Sequence, residues 1–169
     1  MIRSAAVMKY IACVIAILAA YLIQDAPHLL PEVFGGKPIL TAALAIVLAA
    51  FEKEIPAVIL GALCGYFADG CTFGYYTAAL TVTGYAVSMT MQSYGKVTLS
   101  TLMPAATVSV AAVVCGQFLT GFVFMGYDSA PSFFIAHYLS RIIYTLAFVP
   151  VFFPFFRRKR NRQNSGKWK

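Results

Sequence analysis

Residues 38–69 read PILTAALAIVLAAFEKEIPAVILGALCGYFAD, and this stretch decides the fold. Two apolar runs are separated only by the charged turn Glu52-Lys53-Glu54. Neither run shows the alternation of a half-buried strand or the polar face of a soluble helix. The stretch therefore predicts two short membrane helices, 38–51 and 55–69. A helix of about 14 residues covers only ~21 Å of a ~30 Å hydrocarbon core, so a re-entrant hairpin is the alternative.

The rest of the chain has the same apolar character. Of its 169 residues, 60% are hydrophobic and 11% are charged, and the mean hydropathy is +0.77. An ordinary soluble domain carries about 25% charged residues. Whole helix-length stretches lack charge on any face, so the outward face must meet lipid. Continuous apolar segments rich in Ala and Leu favour helices over a β-barrel. We therefore predict an all-α membrane protein.

The apolar segments predict a bundle of about six short transmembrane helices. We expect spans at about 8–24, 38–51, 55–69, 74–91, 99–125 and 133–156. Together they form one integral membrane domain, residues 1–156, followed by a basic tail, residues 157–169. The first segment follows Arg3 and Lys9, which also fits a signal peptide, but five more apolar segments follow it. An uncleaved first helix is therefore the preferred interpretation.

Basic residues occur on alternate connections, which predicts the orientation. The bases lie at Arg3 and Lys9, at Lys53, at Lys96 and in the tail, which holds seven of the thirteen Lys and Arg residues, whereas the other connections carry a single base, Lys37. Short cytoplasmic connections favour Lys and Arg, so both termini are predicted to be cytoplasmic. The connections with Asp25, Asp69 and Asp128 are then outside. A basic run after an apolar segment typically contacts anionic lipid, and we expect no nucleic acid partner.

Small residues recur at helical spacing in three segments. Gly61, Gly65 and Asp69 are four residues apart and so share one face of the third segment. The fourth segment begins at Gly74 and has Thr77, Thr81, Gly84 and Ser88 along one face, and a third stripe, in the first segment, consists of Ala12, Ala16 and Ala20. Such stripes let helix backbones approach closely in a membrane. They predict helix packing within the bundle or contact with a partner protein.

Arg141 is predicted to lie inside the membrane, about eight residues or ~12 Å from the start of the sixth segment. An intramembrane charge usually faces the bundle interior and has a partner. We expect Asp69 to be that partner, with His137, one turn before Arg141, completing a polar cluster near the outer surface. A structural ion pair, a partner-binding site and a transport or ligand site are the three interpretations.

Residues that could carry chemistry are not grouped in this sequence. It contains no metal-spaced His or Cys cluster, no Gly-rich phosphate loop, and no nucleophile with a matching base. The four cysteines fall in or beside different apolar segments and fit small apolar fillers. We therefore expect no catalytic residues, no metal site, no cofactor and no enzymatic activity.

The central motifs resemble those of the rod-shape-determining protein MreD family. They are, in order, Phe34-Gly35-Gly36-Lys37-Pro38, Phe51-Glu52, Gly61-x-x-x-Gly65-x-x-x-Asp69, Gly74 and Gly84-Tyr85. The resemblance covers nearly the whole length and is firmest from Pro38 to Tyr85. It implies a non-catalytic scaffold of the bacterial cell-elongation machinery in the cytoplasmic membrane. The implied partner is MreC and, through it, MreB, RodA and a class B penicillin-binding transpeptidase.

Two other functions fit a small six-span protein. The family is similar in architecture to the substrate-binding S components of energy-coupling-factor vitamin transporters, and the Ala12, Ala16, Ala20 stripe is similar to their docking face. Short connections with few hydrogen-bonding side chains count against a vitamin pocket. A lipid-handling role needs a polar cavity between spans, for which Arg141 and His137 are the only indication.

Overall fold

The structure is a computed structural model that describes residues 2–26, 30–31, 36–71, 74–95, 97–125 and 134–165. Six α-helices make up this part of the chain, and a π-helical segment, Phe134–Leu139, leads directly into the last of them. Their bounds are α1 Ile2–Asp25, α2 Leu40–Phe51, α3 Glu54–Ala68, α4 Tyr75–Tyr94, α5 Leu99–Met125 and α6 Ser140–Ser165. The predicted all-α class and the number of six helices fit this structure.

Three helices contain segments that are long and apolar enough to cross a membrane. These segments are Val7–Asp25, Leu99–Gly121 and His137–Arg157. Their outward faces are apolar, as Ile15 in α1 and Ile143 in α6 illustrate with 60% and 63% exposure. Exposed apolar faces on helices of this length are typical of contact with lipid. The chain is thus built as a helical membrane protein.

Helix α2 lies at the centre of the bundle. Every residue from Leu40 to Ala50 is buried, and α2 contacts α1, α3, α4, α5 and α6. Alanines at 42, 43, 45, 49 and 50 allow this, because a small side chain lets a neighbouring helix approach on each face. At 1.5 Å per residue, its 12 residues span only about 18 Å. A helix too short for the bilayer is therefore enclosed by longer ones.

The helix bounds differ from the predicted spans mainly at the two ends of the chain. Helix α1 begins at Ile2, and α6 continues to Ser165, so most of the predicted tail prolongs the last helix. Lys96, Asp128 and the last four tail residues, 166–169, lie outside the described residues. The predicted orientation, which depends on them in part, stays a prediction.

The helices alternate in direction, which gives the bundle two ends. One end of the bundle, which we call the Asp69 end, contains the C-terminal ends of α1, α3 and α5. It also contains the N-terminal ends of α2, α4 and α6. At the opposite end, the Glu52 end, Lys9 forms an ion pair with Glu52, whose side chain is 7% exposed. Ser88 of α4 also donates a hydrogen bond to the Glu52 carbonyl oxygen, 2.8 Å away. These contacts tie α1 and α4 to the α2–α3 turn.

Candidate functional site

Asp69 caps the first turn of α4. The backbone N–H of Thr77 and its hydroxyl donate to Oδ2 at 2.7 and 2.8 Å, and the N–H of Gly74 donates at 3.1 Å. The N–H of Tyr76 donates to Oδ1 at 3.1 Å. The first N–H groups of a helix have no intrahelical acceptor, and the helix dipole favours a negative charge there. Asp69 supplies both the acceptor oxygens and the charge.

The turn between α3 and α4 brings Asp69 into this position. Gly70 and Cys71 both have left-handed backbone conformations, with φ of 67° and 62°. This reverses the chain directly after α3, so the carboxylate that ends α3 faces the start of α4. Gly74 packs against that carboxylate, since a Cβ added there would lie 2.9 Å from Asp69 Oδ1. Asp69 and Gly74, both predicted site residues, thus belong to one helix-capping structure.

The predicted glycine stripes form the contact between α3 and α4. An added Cβ at Gly61 would lie 2.4 Å from the Leu80 carbonyl oxygen, and one at Gly65 would lie 2.4 Å from the Thr77 Cα. An added Cβ at Gly84 would lie 2.9 Å from the Ala57 carbonyl oxygen. All three glycines are buried. Their faces are therefore occupied inside the bundle, and a partner helix could reach them only by separating α3 from α4.

The alanine stripe of α1 lies at the edge of its packed face. Ala20 is buried, Ala16 is half-buried and Ala12 is exposed. The face of α1 that packs on the bundle is instead marked by Cys13 and Ile17, which are 2% and 0% exposed. Only the Ala20 end of the predicted stripe is fully enclosed by neighbouring helices.

Arg141 hydrogen-bonds to neutral oxygens rather than to Asp69. Its Nε donates to the Lys37 carbonyl oxygen at 3.1 Å, and its Nη1 donates to Gln117 Oε1 at 3.1 Å. The direct Asp69–Arg141 ion pair that we predicted is not formed between these described residues. The reason is geometric, because the Asp69 carboxylate is directed to the start of α4. Tyr76 and Gln117 lie between the two charges.

Tyr76 and Gln117 connect the two charged residues. The Tyr76 hydroxyl donates to Gln117 Oε1 at 2.5 Å, and the Tyr76 N–H donates to Asp69. The same Gln117 oxygen accepts from Arg141. A path of hydrogen bonds thus runs from the end of α3, through α4 and α5, to the start of α6. His137, the third residue of the predicted cluster, is exposed one turn before Arg141.

Polar contacts extend this path to the remaining helices at the Asp69 end. The Ile39 N–H donates to Thr145 Oγ1 at 3.0 Å, and both the N–H and the hydroxyl of Thr41 donate to Gln24 Oε1. Five of the six helices contribute at least one side chain, and Asp69, directly after α3, contributes another. We call this set the polar layer; it consists of Gln24, Thr41, Asp69, Tyr76, Gln117, Arg141 and Thr145. Among the described side chains, every buried nitrogen or oxygen has a hydrogen-bond partner.

Sequence reasoning missed Gln117 and Thr145 as members of the site. Gln117 is an amide in the middle of an apolar segment, and such a residue costs free energy in a membrane unless it is hydrogen-bonded. That signal was available in the sequence. Thr145 gave no comparable signal, because Thr is common in membrane helices and bonds to its own backbone. Here its hydroxyl donates to the Arg141 carbonyl oxygen at 2.7 Å and also accepts from the Ile39 N–H.

An open groove lies between α4 and α5 near the Glu52 end, with a volume of about 480 Å³. Small and hydroxyl-bearing residues form much of its walls, among them Ala86, Thr90, Ser100, Ala105 and Ser109. We call it the α4–α5 groove. It opens on the apolar outer surface, where Val108 is 71% exposed.

Metal ligands are not assembled in the described part of the chain, where no three His, Cys, Asp or Glu residues are grouped to hold an ion. The four cysteines are free thiols, with Cys13 and Cys64 buried, Cys115 half-buried and Cys71 exposed. Comparison with known proteins adds no assignment, because no family model, curated protein or solved structure matches the chain.

Proposed function

We propose that the chain is a non-catalytic membrane scaffold of the bacterial cell-elongation machinery, of the MreD kind, which binds MreC through transmembrane helices. The proposal starts from the motif order between Pro38 and Tyr85 in the sequence. In this reading the bundle lies in the cytoplasmic membrane with both termini inside, and MreB, RodA and a class B penicillin-binding protein join through MreC.

The observation that carries the proposal is the α4–α5 groove. Helices associate in a membrane by close packing, which small residues permit. The glycines of α3 and α4 are occupied within the bundle, whereas the small residues Ala86, Ala105 and Ser109 line an open surface. From residue 86 to residue 94 the α4 wall is about 12 Å long, enough for two turns of a partner helix. We assign this groove to the transmembrane helix of MreC.

The last helix gives the scaffold a contact with the membrane surface. Phe153 packs against Phe51 with ring centroids 5.6 Å apart, so this part of α6 lies at the Glu52 end. The bases that start at Arg157 follow directly, and in the proposed orientation they face the cytoplasm. Anionic headgroups of the inner leaflet attract such a run. This contact would fix the depth of α6 without selecting a partner.

Affinity capture of the tagged protein from its own membrane, with mass spectrometry of the recovered proteins, tests the proposal. We expect MreC to be recovered with the unmodified chain and with Ile59→Trp, a change on the exposed outer face of α3. We expect Ala86→Trp, which fills the α4–α5 groove from its exposed wall, to lose MreC.

Two results would contradict the proposal. Recovery of MreC with Ala86→Trp as efficiently as with the unmodified chain would remove the groove from the interface. Recovery of paired ATPases and a coupling membrane subunit, in place of MreC, would identify the chain as a vitamin-binding S component instead.

A further inference from the structure

The charge of Arg141 is balanced by no acid in the described part of the chain. Its two hydrogen bonds go to a backbone carbonyl oxygen and to a neutral amide oxygen. Asp69, the acid of the polar layer, is directed to the start of α4. A cation at the edge of a low-dielectric region requires a counter-charge, because desolvation otherwise makes it costly. The structure leaves that counter-charge to come from outside these residues.

The guanidinium also retains hydrogen-bonding capacity. An arginine side chain has five N–H donors, and here the Nε–H and one Nη1–H are used. The donors that remain have the fork geometry that binds two oxygens of one phosphate or carboxylate group. The bonds to Lys37 and Gln117 hold the guanidinium in place, so the loss of side-chain entropy on binding an anion is reduced.

Two other basic residues lie beside Arg141. Lys37 is adjacent, since its carbonyl oxygen accepts the Arg141 Nε–H, and His137 precedes Arg141 by one turn on the same helical stretch. Gly36 makes this approach possible, because a Cβ there would lie 2.8 Å from Ser140 Oγ and 3.0 Å from the Arg141 N. Lys37 and His137 are both exposed. Lys37 adds a positive charge to this part of the surface.

The surroundings of Arg141 are those of the boundary between headgroups and acyl chains. Phe118, Phe134 and Tyr138 form an aromatic cluster with ring centroids 5.0 to 6.0 Å apart on the neighbouring turns of α5 and the π-helical segment. Aromatic side chains collect at this depth of a membrane.

We propose that Arg141, with Lys37 and His137 beside it, binds the phosphate of an anionic lipid at the Asp69 end of the bundle. The guanidinium donates to the phosphate oxygens, and the headgroup supplies the missing negative charge. In the predicted orientation this lipid belongs to the outer leaflet. The site is separate from the α4–α5 groove and from the basic end of α6, which lie at the opposite end.

Native mass spectrometry of the full chain, released from phosphatidylcholine nanodiscs that contain increasing phosphatidylglycerol, tests this site. We expect the unmodified chain to retain phosphatidylglycerol in preference to phosphatidylcholine. Arg141→Gln should bind it about tenfold more weakly, because a charge-assisted hydrogen bond is lost. Lys53→Gln, which removes an exposed charge from the α2–α3 turn at the opposite end, is the matched control and should keep the preference.

Gln117→Glu tests the same inference without removing the arginine. The new carboxylate would stand where Gln117 Oε1 already accepts from Arg141 and Tyr76, so it supplies the counter-charge internally. We expect this variant to melt at an unchanged or higher temperature in phosphatidylcholine alone and to lose its preference for phosphatidylglycerol. This variant decides the question if Arg141→Gln fails to fold.

Three outcomes would overturn the proposal. The first is a phosphatidylglycerol preference that survives in both Arg141→Gln and Gln117→Glu. The second is a preference that also disappears in Lys53→Gln, which would show a response to net charge and not to this site. The third is an equal stabilisation by inorganic phosphate in phosphatidylcholine nanodiscs, which would show a site for a small anion and not for a lipid.

Discussion

Replacement of Gly65 by alanine sets two physical effects against each other. In a helix interior this change ordinarily stabilises by about 0.5–1 kcal/mol, because glycine loses more backbone freedom on folding. Here the new Cβ would lie 2.4 Å from the Thr77 Cα and from the Tyr76 carbonyl oxygen. Both are backbone atoms, so no side-chain rotation can relieve the overlap. Ordinary contact begins at 3.4 Å, and α3 and α4 must therefore separate by about 1 Å.

The separation also weakens the cap of α4. Tyr76 and Thr77 are the residues whose N–H groups donate to Asp69, at 3.1 and 2.7 Å. A displacement of about 1 Å would take both bonds beyond the usual limit of about 3.2 Å. Overpacking costs about 1–3 kcal/mol, and a hydrogen bond to a charged group contributes about 1.5–3 kcal/mol. With both bonds counted and the gain in helix propensity subtracted, we expect Gly65→Ala to destabilise the bundle by about 3–8 kcal/mol.

Reversible unfolding of the purified protein in detergent micelles measures this difference. Ala78→Leu is the matched control, because it adds bulk to the exposed side of α4, the helix that Gly65 contacts, and should change stability by less than about 0.5 kcal/mol. If Gly65→Ala is as stable as the unmodified chain, or more stable, then helix propensity outweighs the contact. The close approach of α3 and α4 would then be refuted.

Three further results are expected. Asp69→Asn should lower stability by about 1–2 kcal/mol, because the cap loses its charge and one acceptor oxygen; unfolding in micelles measures this, and an unchanged stability would contradict the capping role. Lys9→Met should lower the free energy of unfolding by about 3 kcal/mol, because the Glu52 carboxylate stays buried without its cation. Adding Glu52→Gln should restore most of this loss. A double-mutant cycle that shows no coupling between the two residues would contradict the ion pair. A membrane-impermeant maleimide should label the exposed Cys71 from outside intact cells and leave the buried Cys64 unlabelled. If Cys71 is labelled only after permeabilisation, the orientation is the reverse of the predicted one.

The positions of the helices could be predicted from hydrophobicity, because long apolar runs broken by charged or glycine-rich turns allow few alternatives. The turn Glu52-Lys53-Glu54 separates α2 from α3 as expected. What the sequence could not show is which apolar helix faces lipid and which faces protein. Lipid and the protein interior both favour apolar side chains. Only the short length of α2 and its alanines therefore indicate in the sequence that this helix is completely buried.

The partners of the polar residues were harder to predict than the helices. Asp69 and Arg141 were predicted to need partners, and charge alone suggested that they would pair with each other. The decisive factor is the left-handed pair Gly70 and Cys71, which turns Asp69 toward the N–H groups of α4. The free N–H groups at the start of α4 and the more distant Arg141 guanidinium could both bind the Asp69 carboxylate. The N–H groups bind it here because they follow Asp69 closely in the chain.

Biogenesis of this protein is constrained by the enclosed helix α2. A segment of 12 residues has too little length to remain across a bilayer by its own partitioning. Most of its neighbours, α3 to α6, are synthesised after it. While the ribosome is still translating α4 to α6, α2 therefore has only α1 and α3 to shelter it. Its enclosure also requires α6, which packs against it. A chain that ends before α6 therefore leaves its central helix open on one side.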